Sequence, residues 1–304
     1  MLLPVRAPLP VYRSPMAENK VDPPAPVRFG CSSFSSDDWV GPFYPDGTRP
    51  ADYLRHYATQ FDTVEVDATW YSIPRASVVD GWFDKTGPDF LISAKFPRSI
   101  VHAGSGPLPD ADKVMVPEET YDERDQFLEV ISRLKGKLGP LVLQFPFFSK
   151  AAFATAKPFL ARLDQFLGDL PDGFQYAVEV RNRDWLGREL ASVLRSHSVT
   201  LVLVDQAWMP HADEVMDRFD PVTGPSCYIR LLGDRKEIEQ VTDRWGKEVL
   251  DRRSRLKRWA RVLQRLGERE VPTLVYVNNH YAGHAPATVR RLQELHANVG
   301  GADV

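Results

Sequence analysis

Eight short runs of apolar, often β-branched residues recur from Val27 onward, and most are followed by a loop and then an amphipathic stretch. They are Val27–Ser32, Thr63–Asp67, Phe90–Lys95, Leu141–Phe145, Tyr176–Arg181, Thr200–Asp205, Cys227–Leu231 and Thr273–Asn278. Helical patterns lie between them at Pro50–Gln60, Ala76–Lys85, Tyr121–Leu138, Ala151–Leu167, Glu189–His197 and Asp251–Leu266, with a last one at Pro286–Leu295. The unit from Val27 to Leu295 is about 270 residues long, close to the ~250 of a closed (β/α)8 barrel. A doubly wound open sheet would have to explain eight evenly spread strands and the lack of a Gly-x-Gly-x-x-Gly turn. The expectation is an α/β TIM (β/α)8 barrel, a single domain over 27–299. Its weakest point is the sixth helix, because Met209–Phe219 is short and charged. Residues 1–26 hold seven prolines and read as an extended or disordered tail.

Composition excludes several classes. With 43% hydrophobic and 26% charged residues, the chain sits near globular averages. A formal net charge of −3 rules out binding nucleic acid by bulk positive charge, though not by a local basic groove. Two cysteines, Cys31 and Cys227, both within strand-like runs, form neither a disulfide framework nor a zinc cluster. The N-terminus lacks a secretory apolar run, since Pro4, Arg6, Pro8 and Pro10 interrupt it, and no segment approaches a membrane-spanning helix. A cytoplasmic location without a membrane partner is therefore expected.

Strand alternation places the candidate site. Val64 and Val66 share one side of the second run and should pack under helices, which turns Glu65 and Asp67 inward. The same argument turns Glu179 and Arg181 inward on the fifth run, pairs Ser93 with Lys95 on the third, and pairs Tyr228 with Arg230 on the seventh. Gln144, Asp205 and Asn278 come at or beside the ends of their runs. All gather at carboxyl-terminal strand ends, the face that carries the active site in barrel enzymes. Mutual ion pairing is the alternative explanation of the cluster, but burying so many charges costs several kcal/mol per ion, so a functional mouth explains it better.

Candidate roles follow from side-chain chemistry. Glu65, Glu179 and Asp205 suit acid, base or metal-ligand work, and would favour a hard divalent cation such as Mg2+ or Mn2+. Lys95 among carboxylates stays protonated and serves as an electrostatic clamp. Arg181, Arg230 and Arg235 would neutralise an anion, with Gln144, Asn278, Asn279 and His284 orienting it. His102, His280 and His284 lie on loops after the third and eighth runs, as acid or base candidates or as ordinary polar surface. The stretch Asn278–Pro286 opens the last helix and, with Arg230 and Arg235, forms either an anion site or a simple helix cap. Phe34, Trp39, Phe43 and Tyr44, with Trp70 and Tyr71, could stack on sugars or bases or form a small core of their own; Trp70 and Tyr71 are taken as substrate contacts.

Seven ordered motifs carry a family resemblance. They are Gly30-Cys31-Ser32-Ser33 with Trp39 and Phe43-Tyr44-Pro45; Thr63 to Tyr71; Ala94 to Arg98 with His102; Leu143-Gln144-Phe145-Pro146; Ala177 to Arg181 with Trp185; Tyr228-Ile229-Arg230; and Asn278 to Pro286. Together they resemble the domain of unknown function 72 family, also called YecE-like. The resemblance implies a TIM barrel and no established reaction. Relatives have been compared with endonuclease IV-like and xylose-isomerase-like barrels, but the histidine-rich strand ends of such a zinc nuclease are missing here. The family's second motif often reads Asn where Asp67 stands.

The functional expectation is a barrel enzyme acting at its carboxyl-terminal mouth on an anionic, phosphate-bearing substrate, a small molecule of nucleotide type or a nucleic acid. One alternative is a non-catalytic barrel that binds nucleic acid or a partner. Another is a carbohydrate-active enzyme with two carboxylates flanking an open cleft.

Overall fold

A computed structural model describes residues 27–299 apart from residue 105; the expected N-terminal tail lies outside the described residues. Eight parallel strands form one sheet: β1 (Val27–Cys31), β2 (Thr63–Val66), β3 (Leu91–Lys95), β4 (Leu138–Gln144), β5 (Tyr176–Glu179), β6 (Thr200–Gln206), β7 (Cys227–Gly233) and β8 (Thr273–Val277). Their order, β1-β8-β7-β6-β5-β4-β3-β2, curls the sheet into a nearly closed, TIM-like barrel surrounded by helices. The sixth helix is a short segment, Ala212–Met216, which fits the weak pattern there. The fourth strand starts three residues before its apolar run, because the helix ahead of it stops at Ile131 and a 3-10 segment fills Ser132–Lys137.

Alternation explains both layers. Val64 and Val66, Val178 and Val180, and Leu201 and Leu203 pack outward into the helical layer. Val142, Ala177, Val202, Val204, Tyr228, Leu274 and Tyr276 fill the interior instead. The lower interior is closed by a hydroxyl cluster, in which Tyr276 Oη lies 2.6 Å from Thr63 Oγ1 and 2.9 Å from Ser93 Oγ. The helix Arg253–Gly267 buries Leu256, Trp259, Leu263 and Leu266 as one stripe, leaves Arg253, Arg261 and Arg265 exposed and turns Arg255 toward the buried Asp205.

The closure between β1 and β2 is different from the other seven. Among the described residues β1 pairs with β8 and β2 with β3, and no ladder joins β1 to β2. Tyr57 bridges that seam: its hydroxyl accepts from Cys31 N at 2.6 Å and donates to Thr63 O at 3.1 Å. The strands still approach closely, since a Cβ on Gly30 would fall 2.1 Å from Thr63 O. Only glycine fits there. Cys31 and Cys227 are buried free thiols whose pKa values burial raises, so neither is poised as a nucleophile.

Candidate active site

One guanidinium organises the carboxyl-terminal mouth. Arg230, on β7, donates from Nε and Nη2 to Glu65 Oε1 at 3.1 and 2.7 Å, and from Nη1 to Glu179 Oε2 at 2.5 Å and Gln144 Oε1 at 2.7 Å. Its Nη2 also lies 3.5 Å from Asp67 Oδ1. The four hydrogen bonds use four of its five N–H groups, and the fifth faces Asp67 as an ion pair. Glu65, Glu179 and Arg230 are buried, and Tyr228 completes the floor by donating to Glu65 Oε2 at 2.7 Å.

The two buried glutamates are driven in opposite directions. Burial raises the Glu65 carboxyl above the ordinary glutamate range despite the pull of Arg230. Burial acts the same way on Glu179, but Arg181 and Arg230 outweigh it and hold that carboxyl at about 2. Arg230 stays a cation: burial opposes its charge, while Glu179, Glu65 and Asp67 favour it. Three carboxylates (Glu65, Asp67, Glu179) thus face three cations (Lys95, Arg181, Arg230) in a charge-balanced cluster whose floor is Glu65, Glu179 and Arg230.

Above the floor lie groups with donors to spare. Lys95 Nζ meets Asp67 Oδ1 at 2.6 Å and donates to Gln144 Oε1 at 3.2 Å, which leaves its third N–H unassigned among the described residues. Arg181 donates from Nε to Glu179 and from Nη1 to Gln206, and its Nη2 is ion-paired with Glu179. The remaining two N–H groups of Arg181 have no partner among the described residues. Asp67 is the most accessible of the three carboxylates, its side chain 29% exposed.

Asp205 does not belong to this mouth, which corrects the sequence expectation. On β6 the inward residues are Val202 and Val204, so Asp205 faces the helical layer. There it accepts from Trp259 Nε1 at 2.6 Å and Tyr281 Oη at 2.9 Å and pairs with Arg255. The metal set Glu65, Glu179 and Asp205 is therefore split across the strand layer. Among the described residues, no group of three or more His, Cys, Asp or Glu side chains is placed to share a metal ion. The two-carboxylate cleft is not formed either, since Glu65 and Glu179 are buried on the same guanidinium.

The other candidates divide. Asn278 Oδ1 accepts from His280 N at 3.0 Å and lies 2.6 Å from His280 Nδ1, shaping the loop after β8. Asn279 Oδ1 accepts from Ala285 N at 3.0 Å and Trp39 Nε1 at 3.2 Å, which ties it to the start of the helix Ala285–Val299. His284 is buried with Nδ1 2.7 Å from Trp245 O, and Arg235 is exposed and paired with Glu239. Of these bonds, the one from Ala285 N to Asn279 caps the helix start. His102 is likewise buried, between Arg98 and Pro107 O. Trp39, Phe43 and Tyr44 pack with Tyr53, Tyr57 and Phe61 as a small aromatic core.

Alternation arguments missed two groups. Gln206 extends β6 by one residue and reaches Arg181; the apolar run on both faces of β6 hid its parity. The second is the rest of an aromatic rim of which the sequence marks only Tyr71. Tyr71 is 74% exposed, Phe147 60% and Trp208 48%, on the loops after β2, β4 and β6, and Trp208 Nε1 donates to Arg181 O at 3.3 Å. All three rings stand on loops at the carboxyl end of the barrel.

The profile of the family described as "Protein of unknown function DUF72" matches residues 28–302. The chain belongs to the DUF72 family. Its curated relatives include the UPF0759 protein YecE of Escherichia coli K12, 31% identical over 173 residues, which are 54% of this chain and 57% of that protein. UPF0759 protein YunF of Bacillus subtilis 168 is 27% identical over 162 residues, 52% of each. The matched stretch thus spans about half the length of these relatives. A solved DUF72 structure from Thermotoga maritima superposes with TM-score 0.65 at 25% identity, covering 90% of this chain and 99% of that one. Another from Enterococcus faecalis V583 gives 0.63 at 20% identity, over 89% and 95%. DUF72 membership carries the barrel and no reaction. Among the described residues, no helix is long and apolar enough to cross a membrane.

Proposed function

We propose that this DUF72 chain is an enzyme whose mouth binds a phosphate-bearing substrate of nucleotide type. The observation that carries the proposal is the pairing of unspent cationic donors on Lys95 and Arg181 with the exposed rings of Tyr71, Phe147 and Trp208. Arg230 is consumed by the protein's own carboxylates, so it fixes the floor and leaves anion capture to Lys95 and Arg181. An anion there gains charge-assisted hydrogen bonds, while a planar base gains stacking of about 1–3 kcal/mol on the rim. Asp67, partly exposed and 2.6 Å from Lys95, is the carboxylate able to take a proton from a reacting hydroxyl or water. Glu65 and Glu179 hold the charges beneath it in register.

Turnover of nucleoside phosphomonoesters and phosphodiesters by wild type and Asp67→Asn tests this reading. Turnover by wild type that falls ~100-fold or more in Asp67→Asn, with ligand binding retained, supports it. Equal turnover in both proteins removes Asp67 from the chemistry. The rim also favours a second reading, a barrel that holds single-stranded nucleic acid without turnover; steep salt dependence of oligonucleotide binding with no product would establish it.

A further inference from the structure

A cleft of about 730 Å3 opens in the helical layer, between the helices Arg253–Gly267 and Ala285–Val299 and the segment 246–248. No strand residue lines it, and it shares no side chain with the charge cluster of the mouth. Its volume is ordinary for a small-molecule site. The chain builds one wall deliberately. Gly283 has φ +113°, and a Cβ there would fall 2.5 Å from Lys247 O, so only glycine lets the two segments meet. On either side of that contact, Val249 N donates to Ala282 O at 2.7 Å and Trp245 N to Asp38 Oδ2 at 2.9 Å. Both ends of the 246–248 wall are thereby tied down.

His284 gives the cleft a buried acceptor. The residue is 5% exposed and lines the cleft, and its Nδ1 lies 2.7 Å from Trp245 O. A carbonyl can only accept, so Nδ1 carries the ring proton; burial lowers the imidazole pKa, which keeps the ring neutral at pH 7. Nε2 is then a bare lone pair with no partner among the described residues and, unlike His211 Nε2, it is open to solvent. Cations crowd the rim around it. Lys247, Lys257 and Arg290 line the cleft, are exposed and have no carboxylate partner among the described residues. Arg290 donates to Gln60 Oε1 at 2.9 Å and lies over the Phe43 ring. Of the two lining carboxylates, Glu248 is paired with Arg291 at 2.5 Å, which leaves Glu294 alone against three free cations. No Phe, Tyr or Trp lines the cleft, so a planar base finds nothing to stack on.

We infer that this cleft is a second binding site, for a sugar phosphate: Lys247, Lys257 and Arg290 hold the phosphate, and a sugar hydroxyl donates to His284 Nε2. A molecule that carries both an anion and hydroxyl donors matches a lone acceptor set beside free cations. The start of the helix Ala285–Val299, where Ala287 lines the cleft, adds partial positive charge on the same side. The nucleotide of the mouth, with its exposed rings, and the sugar phosphate of the cleft are different ligands.

Calorimetric titration of ribose 5-phosphate and methyl phosphate into wild type, Lys257→Gln, Arg290→Gln and His284→Phe tests the inference. Lys257 and Arg290 are exposed, so neither substitution touches the core. Ribose 5-phosphate should bind Lys257→Gln and Arg290→Gln about fivefold more weakly than wild type, or worse. Wild type should prefer it to methyl phosphate, which has no hydroxyl, by about fivefold or more, and that preference should vanish in folded His284→Phe. Arg181→Met reports on the mouth alone and should keep the wild-type affinity for ribose 5-phosphate within about twofold. No binding by wild type, or undiminished affinity in both Lys257→Gln and Arg290→Gln, would overturn the cleft as a site. A loss in Arg181→Met with none in those two variants would put the ligand in the mouth, which overturns the cleft and leaves the mouth reading standing. Equal wild-type affinity for the two esters, or an unchanged preference in folded His284→Phe, would overturn the hydroxyl contact and with it the sugar phosphate. If His284→Phe fails to fold, the wild-type comparison decides.

Discussion

Arg230 Nη1 donates to Glu179 Oε2 at 2.5 Å, and both side chains are buried within the barrel. That bond, with those to Glu65, turns what alternation marks as a cluster of reactive carboxylates into a closed electrostatic floor. Removing one partner of such a buried pair leaves an uncompensated charge, at a cost of about 3–5 kcal/mol. The accessible chemistry is thereby displaced upward, to Lys95, Asp67 and Arg181.

The floor makes a prediction about pH. Arg181 and Arg230 depress Glu179 from 4.5 to about 2 in the folded chain. A depressed carboxylate stabilises the fold above its unfolded pKa and loses that contribution as pH falls through the folded value. Glu179 should therefore contribute on the order of 3 kcal/mol at neutral pH, declining between about pH 4.5 and pH 2. Urea unfolding of wild type and Glu179→Gln should show a gap that is large at pH 6 and clearly smaller at pH 3. A gap independent of pH would mean that Glu179 is not ion-paired.

Tyr57→Phe should weaken the seam specifically. It strips Cys31 N and Thr63 O of their bridging hydroxyl and leaves two buried backbone groups unpaired, at about 1–3 kcal/mol each. Denaturation should report a loss of about 2–4 kcal/mol. Hydrogen exchange should quicken at the Cys31 amide more than at Val275 on β8.

Asp205→Ala separates fold from function. Trp259 Nε1, Tyr281 Oη and Arg255 all lose their shared acceptor, so stability should fall by about 3–5 kcal/mol. Phosphate-ligand affinity measured below the melting temperature should stay within about twofold, since a cost of that size sits outside the mouth. A collapse of affinity in a folded Asp205→Ala protein would return that residue to the site.

The barrel was legible because strand alternation is unambiguous wherever β-branched residues mark the outer side. Val64 and Val66 around Glu65, and Val178 and Val180 around Glu179, identify the inward carboxylates. β6 defeats the same argument: Leu201 to Val204 is apolar on both faces, so Asp205 carried no parity signal and its terminal position misled. Asn279 and His284 stand in a polar loop, where Asn279 accepts from Ala285 N at the helix start and from Trp39 Nε1, and His284 lies against Trp245 O, bonds to distant segments that the loop sequence does not reveal. The rim was partly visible, as Tyr71; Phe147 and Trp208 follow strands whose loops carry no other distinguishing pattern. The absence of a β1–β2 ladder depends on three-dimensional closure and leaves no mark on either strand's sequence.

The most direct test of the account is the affinity of adenosine monophosphate for wild type against Lys95→Met and Arg181→Met, measured by titration calorimetry on proteins shown to be folded. Each lost charge-assisted bond should cost about 1.5–3 kcal/mol, a roughly 10- to 150-fold weaker Kd, with adenosine itself little affected. Equal affinity in all three proteins would contradict the claim that the mouth of this barrel is where the anion binds.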